Sequence, residues 1–221
     1  SADGIRTALE VLDLTGKSGD IEGQVQCLQR MLVLEPGNET TLKSLADIWS
    51  ALDRKEELFD TLTSLERIYT TDRRYEEALQ SLQSLKELRP DEPELMDRAI
   101  ALQIKTGKTE DATQQGIELI RVHFDRGDDL HALETVRRII EIEPTNIERR
   151  IMLARLIFEN DRPEAARQEF FLTASKLFGE GDFENCNKVC EAGLDLFVTD
   201  VHLRDLAGRV LQKLGRTQEA I

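Results

Sequence analysis

The chain has 221 residues, of which 40% are apolar and 33% charged, and its formal net charge is −14. That length and apolar share suit one or two globular domains or one extended repeat array, and five prolines with thirteen glycines are too few for a disordered or linker-rich chain. The acidic balance argues against broad nucleic-acid binding, which needs basic surface to neutralise phosphates, and against docking on anionic lipid.

No run approaches the roughly 20 apolar residues that span a bilayer. No signal-peptide pattern opens the sequence, and Cys27, Cys186 and Cys190 read as free thiols. A reducing, cytoplasmic setting is therefore expected.

Apolar residues at helical spacing predict a first helix over about Ile5–Thr15, broken at Gly16-Lys17-Ser18-Gly19-Asp20. A second, carrying Ile21, Val25, Leu28 and Leu32 on one face, stops at Pro36. Asn38 with Thr40 or Thr41 offers side-chain oxygens to cap a third, which carries Leu42, Leu45, Ala46, Trp49 and Leu52. Asp53-Arg54-Lys55 turns into a fourth helix with Leu58, Leu62, Leu65 and Ile68. Thr71-Asp72-Arg73 turns into a fifth with Ala78, Leu79, Leu82 and Leu85, ending at Pro90. Further helices are predicted at about Glu94–Thr106, Glu110–Phe124, Leu130–Ile142, Ile147–Glu159, Pro163–Phe178 and Phe183–Phe197, and a last one from Val201 to Gly215. Pro163 falls in a first helical turn, where proline is tolerated. No segment alternates with period two, so no sheet is expected.

The stops recur. Pro36, Pro90 and Pro144 stand 54 residues apart, and Val198 keeps the spacing without the proline. At this offset Ala46 meets Ile100, Ala154 and Gly208, and Leu28 meets Leu82, Val136 and Cys190. Gln24 meets Ala78, Ala132 and Cys186. Small and apolar positions recur while surface residues drift, as expected when each unit must stack on its neighbour to bury its face.

The chain resembles the tetratricopeptide repeat (TPR) family. The resemblance rests on Leu42, Leu45, Ala46 and Trp49 within Pro36–Tyr69, on Gly127–Leu133 running to Pro144, and on Ala174 through Gly181-Asp182-Phe183 to Cys186. TPR units have two helices in 34 residues, whereas these have three in 54, so the middle helix serves two pairs. The resemblance implies an all-α, right-handed α-α superhelix of about twelve antiparallel helices, forming a single repeat domain over residues 1–221. A HEAT-like solenoid is the alternative. The chain is also expected to be a piece of a longer solenoid, or else to associate through its open ends.

In TPR arrays the first helix of each pair lines a concave groove. That likeness puts Thr40, Lys43, Asp47 and Ser50, then Glu94, Asp97, Ala101 and Ile104, then Glu148, Ile151, Arg155 and Phe158, then His202, Asp205 and Arg209 on a groove face. Of the lysine and asparagine pattern that clamps chaperone tails, only Lys43 matches. The mixed, partly apolar set suits a helix or an extended peptide.

Arg137, Arg138, Arg149, Arg150, Arg155, Arg162 and Arg167 form a basic island in an acidic chain. Arginine forks bind carboxylates, so an acidic peptide is one partner class. Pairing with Glu134, Glu141, Glu143 and Glu148 on a solvated face is the competing reading. The candidate partner-binding residues are thus Lys43, Asp47, Asp97, Ile104, Arg149, Ile151, Arg155, Phe158 and Arg209.

Other motifs carry less. Gly16-Lys17-Ser18 lacks the upstream glycine of a phosphate loop, Val11 standing there. Cys186 and Cys190 could present two thiolates to a metal but hold positions that are apolar in other copies, and His123, His131 and His202 are scattered. Arg126-Gly127-Asp128 reads as a turn. No nucleophile–base set assembles, so neither an enzyme nor a cofactor is expected. The expected function is a protein–protein interaction scaffold. A regulatory or substrate-recruiting segment of a larger enzyme, or a self-assembly module, are the alternatives.

Overall fold

The computed structural model describes residues 20–216. The helix expected over Ile5–Thr15, the Gly16-Lys17-Ser18 turn and the chain beyond Arg216 lie outside them. The described residues form eleven α-helices and no strand: α1 (Ile21–Leu34), α2 (Glu39–Ala51), α3 (Lys55–Thr71), α4 (Tyr75–Leu88), α5 (Pro93–Lys105), α6 (Thr109–Asp125), α7 (Asp129–Ile142), α8 (Ile147–Glu159), α9 (Pro163–Glu180), α10 (Phe183–Leu196) and α11 (Val201–Lys213).

The 54-residue period is written into these bounds. Starts at Glu39, Pro93, Ile147 and Val201 keep it, as do Lys55, Thr109 and Pro163, and Tyr75, Asp129 and Phe183. Lengths cycle as well: α2, α5, α8 and α11 each have 13 residues, and α4, α7 and α10 each have 14.

Two kinds of stop produce this rhythm. α1, α4 and α7 end on Glu35, Arg89 and Glu143, whose φ of −137°, −138° and −132° is the extended backbone that a following proline enforces. Phe197 after α10 adopts φ −119° ahead of Val198, so packing sustains the stop when the proline is missing. The other stops put one residue in the left-handed region: Asp53, Gly107, Asp161 and Gly215 in one series, Arg73, Gly127 and Gly181 in the other. Each brings the following amide back to a carbonyl five residues earlier, as in Arg54 N–H to Trp49 O at 2.8 Å and Asp182 N–H to Leu177 O at 3.0 Å. Helix starts are capped where the sequence supplies a short polar oxygen. Asn38, Asn146 and Asp200 accept from the amides of Thr41, Arg149 and Leu203. Pro93 and Pro163 open α5 and α9 at the position where a missing N–H costs nothing.

The chain divides into two compact units, with the boundary between Gln115 and Gly116 inside α6. In the first unit, Val25, Leu28, Met31, Leu45 and Trp49 join α1 to α2, and Leu42, Leu65, Tyr69, Ala78, Leu82, Leu85, Leu95 and Ala99 join α2 through α5. In the second, Ile117, Ile120, Ala132, Val136, Ile139, Leu153, Ile157 and Ala166 join α6 through α9. Ile147, Ala154, Phe170, Ala174, Cys186, Val189, Cys190 and Leu203 join α8 through α11. Helices pack on their chain neighbours, and in the second unit also on the next but one, α8 on α10 and α9 on α11. That is the two-layered packing of a TPR-like solenoid.

A cation precedes the middle helix of each unit. Lys108 reaches Glu76 at 2.7 Å, Arg162 reaches Asp129 at 2.6 Å, and Arg216 reaches Glu184 at 3.3 Å. Arg54, the first of the series, pairs locally with Glu57 and stacks over Trp49. Exposed pairs of this kind add little to stability.

Candidate interaction surface

The structure gathers part of the expected groove set. In the second unit, α6 and α8 flank a furrow of about 250 Å³ lined by Ile117 and Arg121 from α6 and by Glu148, Ile151, Met152, Arg155, Leu156 and Glu159 from α8. Ile151 is half-buried, its inner side packed on the α8–α11 core. Met152 is 40% exposed, a flexible apolar side chain at the lip. Arg155 remains about half exposed, with its guanidinium 3.6 Å from Asp195 of α10. Glu148 stands 3.7 Å from Lys188 of α10. Two cations, two carboxylates and an apolar floor thus share one concavity.

The remaining candidates are dispersed. Lys43 lies 2.7 Å from Glu39 and over the Tyr69 ring at 5.8 Å. Glu39 also accepts from Arg74 at 2.5 Å and from the Tyr69 hydroxyl at 3.2 Å. The bond from Arg74, reinforced by Lys43, holds the Glu39 carboxyl down at about 2. Asp47 is exposed on α2, Asp97 is half-buried on α5, and Ile104 is 38% exposed near its end. Phe158 turns partly into the core, edge-on to Phe197 at 5.4 Å. Arg209 lies over Phe178 at 4.6 Å, 3.9 Å from Asp205. Because next-but-one helices share a layer, the candidates on α8 and those on α11 fall in alternate layers of the second unit.

The arginine island is largely neutralised from within. Arg149 has a side chain only 15% exposed and donates to Glu143 at 3.1 Å. Arg150 donates to the Pro144 carbonyl at 3.1 Å, and Arg162 to Asp129. Arg167 bridges Glu164 at 2.7 Å and Asp200 at 3.3 Å. Of the four glutamates expected to pair with it, Glu143 does so with Arg149.

Cys27, Cys186 and Cys190 are free and buried. Cys186 donates to the Ala174 carbonyl at 3.1 Å. Its hydrogen bond with Cys190, together with burial, pushes the Cys190 thiol upward, and both side chains pack in the core. His123 and His131, on either side of one turn, stack at 5.5 Å beside Asp128, the cap of α7. No cluster of three metal-ligating side chains occurs among the described residues, and none of their helices is long and apolar enough to cross a membrane.

Met152 and Arg121 were not in the sequence-derived set. Met152 sits beside Ile151 on the helix circumference, and Arg121 comes from the preceding layer partner, which only the packing of α6 near α8 reveals.

These features define a class, an all-α helical repeat protein whose hairpins stack in two layers. The tetratricopeptide repeat family model matches residues 61–96, within described residues that fold as a TPR-like helical repeat. No curated protein matches it in sequence. Among solved structures it is similar to the Naa15/Naa10 complex bound to HypK-THB, with 15% identity and a TM-score of 0.32. That match covers 99% of this chain and 35% of that one, so the chain spans about a third of that relative's length. A tetratricopeptide repeat protein from Parabacteroides merdae shows 14% identity and a TM-score of 0.27 over 95% of this chain and 99% of that one. The P58(IPK) TPR domain shows 12% identity and a TM-score of 0.28 over 99% and 67%. Repeats of this family generally bind other proteins and are generally non-catalytic.

Proposed function

We propose that the chain is a non-catalytic interaction scaffold whose α6/α8 furrow takes a partner helix or extended peptide bearing one apolar side chain and an adjacent carboxylate. The observation that supports this is the furrow itself. An exposed methionine and a half-buried isoleucine line it, and Arg155 keeps half its surface open to a second carboxylate. Preformed concavity lowers the ordering cost of association, and methionine adapts to varied apolar side chains. The arginine fork supplies orientation.

Peptides selected by surface display on the 221-residue protein provide the test. Calorimetric affinities should fall at least tenfold in the variant Met152→Asp with Arg155→Glu, and the loss should shrink at high salt. If the selected peptides bind the double variant as tightly as the parent, the furrow is not their site.

A further inference from the structure

A second concavity, in the first unit, is polar where the repeat pattern calls for apolar packing. It has a volume of about 170 Å³ and lies among α4, α5 and the first half of α6, with Leu82 and Leu95 in its wall and Lys86, Gln103 and Gln115 among its lining residues. The side-chain oxygens of both Gln103 and Gln115 are buried there without a hydrogen-bond partner. A buried acceptor left unsatisfied costs about 1–3 kcal/mol, so two at one cavity demand a reason.

Packing does not supply it. At the 54-residue offset, Gln103 corresponds to Trp49 and Ile157, both buried core residues, and Lys86 corresponds to Leu32 and Ile140. Gln115 corresponds to Thr61, which satisfies itself by donating to the Glu57 carbonyl at 2.7 Å. In the other copies the positions of Gln103 and Lys86 are apolar, while that of Gln115 holds Thr61 and the half-buried Glu169. The second copy lines this spot with Lys86, Lys108, Asp111 and the amides of Gln83, Gln103 and Gln115.

We infer that this pocket binds a primary carboxamide, the head group of a glutamine or asparagine. A carboxamide carries two N–H donors and one carbonyl acceptor. Its two N–H groups match the unpartnered oxygens of Gln103 and Gln115, and an amide N–H of either glutamine can donate to its carbonyl. Leu82 and Leu95 suit the methylene stem. A carboxylate has no N–H to give to these two oxygens. The site is independent of the α6/α8 furrow and stands if that reading fails.

The shared chemistry has two sources, a residue within a partner chain or the free amino acid, and two probes separate them. N-acetyl-glutamine N-methylamide and free L-glutamine would each be titrated into the ¹⁵N-labelled 221-residue protein, following the side-chain amide signals of Gln103 and Gln115. Saturable shifts with the capped probe assign the pocket to a partner's side chain, and shifts with the free amino acid alone assign it to the metabolite. Capped glutamate should give no shift at equal concentration. The variant Gln103→Met with Gln115→Met should weaken binding at least tenfold while keeping or raising the melting temperature, because it removes the two unsatisfied acceptors. Absence of saturable shifts with either carboxamide, equal response to capped glutamate, or undiminished binding by the folded double variant would each overturn the proposal and leave the pocket as a hydrated gap.

Discussion

The first and third copies of the three-helix phrase, α2–α4 and α8–α10, solve the same packing problem with different chemistry. Four positions of the first copy hold Glu39, Lys43, Tyr69 and Arg74, joined by the Arg74–Glu39, Lys43–Glu39 and Tyr69–Glu39 contacts and by stacking of Arg74 on the ring at 4.6 Å. The corresponding positions of the third hold Ile147, Ile151, Leu177 and Asp182. There Ile147 and Leu177 are buried in one core cluster, with Ile151 packed against it. A polar knot in one copy is thus an apolar contact in the other. What the repeat conserves is the meeting of α2 with α3, and of α8 with α9, not the kind of bond that holds them.

The same trade occurs within the cores. Leu62 and Leu85 of the first copy correspond to Phe170 and Gly193 of the third. A β-carbon added at Gly193 would stand 3.2 Å from the Phe170 ring and 3.0 Å from Leu203. The phenylalanine therefore occupies the space that a larger α10 side chain would take, and volume is conserved across the pair. This yields the largest expected effect. Phe170→Ala should destabilise the second unit by about 3–5 kcal/mol, at the upper end because Gly193 has no side chain to relax into the cavity. Leu62→Ala, at a half-buried position with Leu85 behind it, should cost about 2 kcal/mol. Urea unfolding with a probe in each unit measures both, and equal losses would mean that the exchange of volume carries no energetic weight.

These trades also explain what could be read from the sequence. Helix content, the period and most helix bounds follow from apolar spacing, prolines and caps, all of which act within a few residues. Asn38 caps α2 and Pro163 opens α9 as the sequence indicates. The candidate furrow was less legible, because it depends on which residues of non-adjacent helices share a layer. Ile151 and Arg155 meet Arg121 only through packing, whereas Arg149 is drawn to Glu143 by the local turn. His123 and His131 meet because the left-handed residue Gly127 folds the chain back between them. The polar pocket left a trace in the sequence after all: Lys86 and Gln103 break the apolar class that their counterparts Leu32, Ile140, Trp49 and Ile157 maintain.

A smaller effect separates the copies at the turn after the long helix. Arg73 holds φ 61° where the third copy has Gly181 at 81°. A side chain in the left-handed region costs about 1–2 kcal/mol, and glycine returns about 0.5–1 of that as backbone entropy. Arg73 is exposed, so Arg73→Gly should stabilise the first unit by about 0.5–1 kcal/mol, read as a shift in its urea midpoint. A loss of stability would show that the arginine side chain holds the turn through contacts of its own.

The finest distinction is in acid. Arg74 and then Lys43 hold Glu39 down at about 2, from an ordinary value of 4.5. A carboxylate whose folded value is depressed stabilises the fold above its unfolded value, and that contribution disappears as pH falls through the folded one. The Glu39 contribution is therefore complete above about pH 4.5 and lost toward pH 2. Its counterpart in the third copy is Ile147, which does not titrate. Carboxyl ¹³C titration should place the Glu39 midpoint near 2 in the parent and nearer the ordinary range in Arg74→Met, while the Ile147 methyl signals stay still over the same window. Glu39 is solvent-accessible and salt screens such pairs, so the shift should narrow as ionic strength rises. An ordinary midpoint in the parent would show that the contacts seen around Glu39 exert no net pull, and the first copy would then be joined by apolar packing just as the third is.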